Sequence, residues 1–427
     1  MKNQKMTEIE KLLDFLALSP TPFHAVREMS RALEEAGFEK LDEGKMWAVR
    51  ARAKYYIIRN ESSLIAFKIG NKAPEEEGWK MTGTHSDSPC LKLKPNPTQK
   101  FKNYLQAGLE LYGSALLHTW FDRDLSLAGR ISYLTSKNKV ESMLLNFKKP
   151  IAIIPSLAIH LNRNVNENFA VNAQKDLPPL FLQSEEKNSS LEAILAEEIK
   201  KSAKDFKKIL AHELCLYDTQ GPALVGIHGQ FLASARLDNL LSCWVALQSL
   251  CESKGNASCL LVCNDHEEVG SVSTSGAQGP FLKSILQRMM PHAEDFARSM
   301  HQSIFLSCDN AHGIHPNYPD KHDAQHGPLL NAGPVVKINA NQRYATNSET
   351  AALFASLCEK EKVPCQKFAV RADIACGSTI GPLTAANLGV KTVDVGIPTL
   401  AMHSIREIAG VEDISFLFQI LTAFYSQ

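Results

Sequence analysis

The chain has 427 residues, 44% hydrophobic and 22% charged, with 46 Lys and Arg against 46 Asp and Glu. That length exceeds one ordinary core and predicts two domains. The balanced charge, without a basic cluster, gives no reason to expect nucleic acid or an anionic membrane as partner. No apolar run approaches the roughly 18–20 residues of a membrane-spanning helix.

Lys2 and Lys5 open the sequence, but Glu8, Glu10 and Asp14 interrupt the residues beyond them, so no signal peptide is read and the cytoplasm is the expected compartment. Ile9, Leu12, Leu13 and Leu16 fall at helical spacing. Residues 6–36 are predicted as two helices split by Ser19-Pro20-Thr21-Pro22, with Ser19 or Thr21 as a cap for the second. Residues 53–69 alternate as paired strands do. The stretch 74–78 is acidic and turn-like. Between 109 and 160 the texture is of short strands, at 127–134, 142–147 and 151–154, with a polar helix after them over 190–211.

Beyond Gly229, Asp238 opens an apolar helix over 239–250. Buried strands are predicted at 258–262, 304–307 and 391–395. Strands alternating with helices imply a mixed or parallel sheet covered on both faces. The expected organisation is a discontinuous catalytic domain, 1–93 and 232–427, with a domain inserted at 94–231. None of the ten cysteines forms a C-x-x-C pair, so buried thiols are expected.

The candidate chemistry lies where apolar runs end. His85 and Asp87 come after a predicted strand. A histidine there suits a metal, and a carboxylate two residues on can orient its ring, although Asp-Ser-Pro is also good turn chemistry. Asp238 is either a helix cap or a carboxylate bridging two ions. His266-Glu267-Glu268 ends the apolar run 260–263. Two adjacent carboxylates there resist desolvation unless a cation compensates. Neighbours in an extended segment point apart, so one binds metal while the other moves a proton; the alternative is an exposed acidic turn. Asp309 ends the strand 304–307, with His312 and His315 close behind as loop-shaping residues, substrate contacts or extra ligands. His403 lies in a loop beyond 393–396. Together these residues sit at the strand ends where open α/β sheets bind ligands, and their donor types suit zinc, manganese or cobalt.

The motifs HSDSP, RLDN, HEEVGS, SCDNAHG, NANQRYATN and AMHSIRE, in this order, resemble the M18 metallo-aminopeptidases, the aspartyl aminopeptidase group. The match runs from SPTPFHA to SIREIAG. The resemblance implies an α/β zinc-peptidase domain with a mixed central sheet, an inserted mainly-β dimerisation domain and a homododecamer built from dimers. It implies two divalent ions, zinc first. His85 and Asp309 would hold one, Glu268 and His403 the other, and Asp238 both. Glu267 would be the general base and acid, and Asp87 would orient His85. His160 would serve a neighbouring subunit's site as ligand or substrate contact.

Lys337, a charge inside the apolar run 335–338, reads either as an edge or snorkelling lysine or, by the resemblance, as the partner of an acidic first side chain, with His315 and Tyr344 in the same pocket. One departure bears on substrate preference. Residues 371–377 read Arg-Ala-Asp-Ile-Ala-Cys-Gly, where the family pattern is close to Asn-Asp-Ser/Thr-Pro-Cys-Gly. The expected activity is removal of an N-terminal residue, preferably Asp or Glu, from peptides. The rivals are another dinuclear amide hydrolase, a deacylase or carboxypeptidase, and a non-enzymatic cargo or scaffold particle.

Overall fold

Two helices, Glu8–Leu18 and Pro22–Glu35, begin the first unit. Thr7 and Glu10 close a reciprocal cap on the first helix, satisfying two otherwise orphaned backbone donors. Thr21 precedes the second helix, but its hydroxyl pairs with His24 Nδ1 at 2.8 Å instead of a backbone amide. A computed structural model describes residues 7–185 and 189–427; Lys2, Lys5 and the first residue of the predicted helix lie outside them. The described chain forms two units. One comprises residues up to Asp87, Pro222–Met402 and Glu407–Gln427, and the other Ser88–Gly221 and His403–Arg406.

The first unit is built on a nine-stranded mixed sheet. Its strands run in the order Glu39–Lys40, Lys54–Arg59, Ser63–Lys68, Ser258–Asn264, Trp79–His85, Ile304–Cys308, Lys391–Gly396, Val335–Lys337 and Gln366–Phe368. The four strands from Ser258–Asn264 to Lys391–Gly396 are mutually parallel. Both faces are covered. Leu260 and Val262 pack with Phe281, Ile285 and Ile380 on one side. Cys259, Leu261 and Cys263 pack with Leu240, Trp244 and Leu417 on the other. This period-two division makes the strand read as one continuous apolar run. A smaller five-stranded sheet joins Ala223–Val225, Phe231–Ser234, Glu407–Gly410, Pro398–Leu400 and Ala311–His312.

The second unit is an antiparallel six-stranded sheet, ordered Val140–Asn146, Leu125–Thr135, Phe206–Asp218, Cys90–Phe101, Tyr104–Tyr112 and Leu180–Gln183. The helix Leu191–Lys200 buries Leu191, Leu195 and Ile199 in its core. The α/β class with a mixed sheet and a mainly-β second unit matches the sequence expectation. Three local expectations change. The helix expected over 190–211 stops at Lys200, and Phe206–Asp218 is a strand, with Leu214 and Leu216 inward on the core. Residues 151–154 make only isolated bridges, from Ala152 to Leu125 and from Ile153 to Leu180. Residues 74–77 form one helical turn. The unit boundaries fall after Asp87 and before Pro222, not at 93/94 and 231/232. The Cys90–Phe101 strand already belongs to the six-stranded sheet, whereas Ala223–Val225 pairs with Phe231–Ser234.

Candidate metal centre

His85 is the last residue of its strand and is 1% exposed. Its Nδ1 lies 3.0 Å from the main-chain carbonyl of Asp87 and 3.4 Å from Asp87 Oδ1. A proton on Nδ1 is therefore donated to Asp87, which leaves Nε2 as the free donor atom. Nε2 points at Asp309 Oδ1, 3.3 Å away, and Asp238 Oδ1, 3.4 Å away. Beneath it, Cys243 donates its thiol to the His85 carbonyl at 3.1 Å, and Thr84 Oγ1 lies 3.1 Å from both Cys243 and Cys263 sulfurs.

Asp238 is no simple helix cap. It falls within the helical span Leu237–Glu252, yet it and Asn239 are non-helical, and Asp238-Asn239 is a cis peptide. Its amide donates to Glu407 Oε2 at 2.8 Å, and Asn239 Nδ2 donates to the Cys308 carbonyl at 2.8 Å. Those two bonds aim the Asp238 carboxylate toward the strand ends.

Glu267 and Glu268 do not lie in an extended segment, as the sequence suggested. His266 takes a left-handed conformation (φ 64°), and Glu267–Val269 form one 3₁₀ turn. Asp87 stabilises that turn: Oδ1 accepts from the amide of Glu267 and Oδ2 from that of Glu268, each at 3.1 Å. Its charge compensates two amides that the turn leaves unpaired.

Asp309 comes directly after the Ile304–Cys308 strand and divides its carboxylate. Oδ1 faces His85, and Oδ2 accepts from Lys337 Nζ at 3.1 Å. Lys337 is 2% exposed, also donates to the Asn310 carbonyl at 3.1 Å, and lies 5.2 Å from the Tyr344 ring centroid. The lysine is thus buried, and neither an edge nor a snorkelling residue. Gly396 makes the approach possible: a Cβ there would fall 1.9 Å from the Asp309 carbonyl oxygen.

The electrostatics are those of surplus negative charge. Burial alone drives His85 toward neutrality. Hydrogen bonds to Asp238, Asp309 and Asp87 outweigh it and raise its pKa well above the usual imidazole range. Burial, with Asp309, Glu268 and Asp238 nearby, pushes Glu267 up to about 8 despite the opposing His85. Burial and the Asp87 charge push Asp265 up to about 6.

Ligand atoms of His85, Asp238 and Asp309 lie within 4.8 Å of one another, as do those of His85, Glu267 and Glu268. Imidazole plus clustered carboxylates is a donor set for divalent zinc, manganese or cobalt. Such ions would neutralise the charge that otherwise draws protons to His85 and Glu267, so the residues present fit the group.

The remaining candidates are placed on other segments. His403 sits in the short segment grouped with the second unit, its Nδ1 3.1 Å from the Ser114 carbonyl. His160 is exposed on the Ile159–Leu161 turn of that unit. His315 packs against Tyr318 with the rings tilted and their centroids 5.0 Å apart, and accepts from the Asn317 amide. Tyr344 is buried against Phe368 and the Lys337 ammonium. Sequence reasoning gave no role to Glu407, which accepts from the Asp238 amide, to Asn239, which donates to the Cys308 carbonyl, or to Asp265, which accepts from the His266 amide; Glu407 opens its strand and carried no local signal.

The sequence model described as aminopeptidase I zinc metalloprotease (M18) matches residues 15–425. A protein of Ectopseudomonas mendocina (strain ymp), named probable M18 family aminopeptidase 2, is 56% identical over 421 residues, 98% of each chain. Among solved structures, a chain of the Ape4 and Nbr1 complex has a TM-score of 0.94 at 39% identity, covering 98% of this chain and 85% of that one. The mApe1 dodecamer of S. cerevisiae has a TM-score of 0.85 at 28% identity, covering 98% and 96%. With buried histidine and carboxylates gathered at the parallel strand ends, and a family match over nearly its whole length, the chain belongs to the M18 family of metallo-aminopeptidases.

Proposed function

We propose that the chain removes N-terminal residues, preferably Asp or Glu, from peptides with two divalent ions per subunit. The observation that carries this reading is the convergence of His85, Asp238 and Asp309 beside Glu267. His85 and Asp309 would hold one ion, Glu268 and His403 the other, and Asp238 would serve both. When bound, such ions, zinc or else manganese or cobalt, would supply a water of lowered pKa and polarise the scissile carbonyl.

Glu267 does the proton work. Its carboxylate accepts the proton of the attacking water and returns it to the leaving amine nitrogen. A buried carboxyl with a raised pKa suits both halves of that cycle. Asp87 fixes the His85 ring and the Glu267 backbone, so both stay in place as the proton moves. The cation for an acidic substrate side chain is Lys337. An ammonium has three donors, and two are used by Asp309 and Asn310. Tyr344 and His315 flank the same pocket.

The second unit serves dimerisation, and His160 reaches a neighbouring subunit's site as ligand or substrate contact within a cytoplasmic homododecamer. The likeness to the mApe1 dodecamer supports that assembly. The test is a rate panel of N-terminal residues on chelated enzyme with zinc, manganese or cobalt returned, including N-acetylated peptides. Free-amine Asp and Glu peptides should be cut fastest. Preferential cleavage of the acetylated peptides would move the chain to the deacylases, and no cleavage with two ions bound would favour a scaffold particle.

A further inference from the structure

Lys337 comes from the Val335–Lys337 strand, two positions across the sheet from the Ile304–Cys308 strand that delivers Asp309. The Lys391–Gly396 strand lies between them, pairing with both. The ammonium crosses to the Asp309 segment and makes both its hydrogen bonds there, to Oδ2 and to the next residue's carbonyl. A buried lysine is costly unless paired. This one is paired with a carboxylate that is itself a candidate ligand.

We infer that Lys337 weakens the hold of Asp309 on the ion at the His85–Asp309 position. The inference rests on the two-ion reading of the site. Oδ2 is occupied by Lys337, so Asp309 offers Oδ1 alone toward His85. The carboxylate's charge is then shared between the ammonium and the ion. Two cations sharing one buried carboxylate repel, and in a partly desolvated site that repulsion exceeds the orienting benefit of one hydrogen bond. Partners of a metal ligand usually strengthen its hold on the ion; a cationic partner acts in the opposite sense because it competes for the same carboxylate charge.

The test is zinc affinity, read without substrate by competition with a graded chelator, on the full-length protein. Lys337→Met and Lys337→Gln should tighten one of the two zinc ions by about tenfold or more and leave the other unchanged. Lys337→Arg, which keeps the charge, should match the wild type. Gln can still donate to Oδ2, so it separates charge from hydrogen bonding and serves if the Met variant folds poorly. Unchanged or weaker zinc binding in the neutral variants overturns the inference while leaving the two-ion reading intact. A wild-type protein that takes up one zinc or none overturns that reading, and this inference with it.

Discussion

Asp87 accepts the backbone amide of Glu267 at 3.1 Å while its own carbonyl lies 3.0 Å from His85 Nδ1. One residue therefore sets both the ring that faces the ions and the turn that carries the proton acceptor. Asp87→Asn keeps the shape but turns one acceptor into a donor facing an amide. Turnover should fall about 100-fold, the usual consequence of misplacing a reacting group by an ångström, with KM little changed. A loss confined to KM would show that the clamp has no part in the proton transfer.

Glu267→Gln tests the proton carrier itself. The substitution preserves volume and removes the ionisable group, so kcat should drop by about 10²–10⁴-fold while zinc content and circular dichroism stay as in the wild type. Near-normal rates would remove Glu267 from the mechanism.

Stripping the metal should expose a pH dependence of stability. The Glu267 carboxyl is raised from 4.5 to about 8, chiefly by burial. Between those values the folded chain keeps a proton that the unfolded chain has lost. Its contribution is thus fully present below about pH 4.5 and is lost as pH rises through about 8. The melting temperature of chelated protein should fall across this window, and Glu267→Gln should flatten the fall. A chelated wild type whose melting temperature rises from pH 5 to 8 in step with the variant would contradict the assignment.

Gly396→Ala tests the packing under Asp309. The added methyl would meet the Asp309 carbonyl at 1.9 Å, and neither strand can yield cheaply. Destabilisation of about 3 kcal/mol, with weakened zinc uptake, is expected from urea denaturation and metal analysis. An alanine variant as stable as the wild type would mean that the strands separate more easily than their pairing suggests.

Much of this arrangement is legible in the residues. The strands ending at Asn264 and Cys308 are nearly pure apolar runs, so the polar groups beyond them stand out; the strand ending at His85, with Lys80, Thr82 and Thr84, is marked instead by the histidine itself. The hidden part is set by partners distant in sequence. Glu407 lies 169 positions from the amide it holds, and Asp309 lies 28 from Lys337. The 206–218 strand reads as helix in part because its lysines face outward on an antiparallel sheet with one wet face, which mimics a polar helix. The turn at Glu267 depends on a left-handed His266, which no periodicity announces.

The sulfur atoms beneath His85 bear on how inactivation experiments are read. Cys243, Cys263 and Cys308 are sealed from solvent, and burial holds the Cys243 and Cys308 thiols protonated. Alkylating reagents attack thiolates that they can reach, so this layer should stay unmodified in the folded protein. If iodoacetamide silences the enzyme, the damage should be sought at surface sulfur such as Cys365.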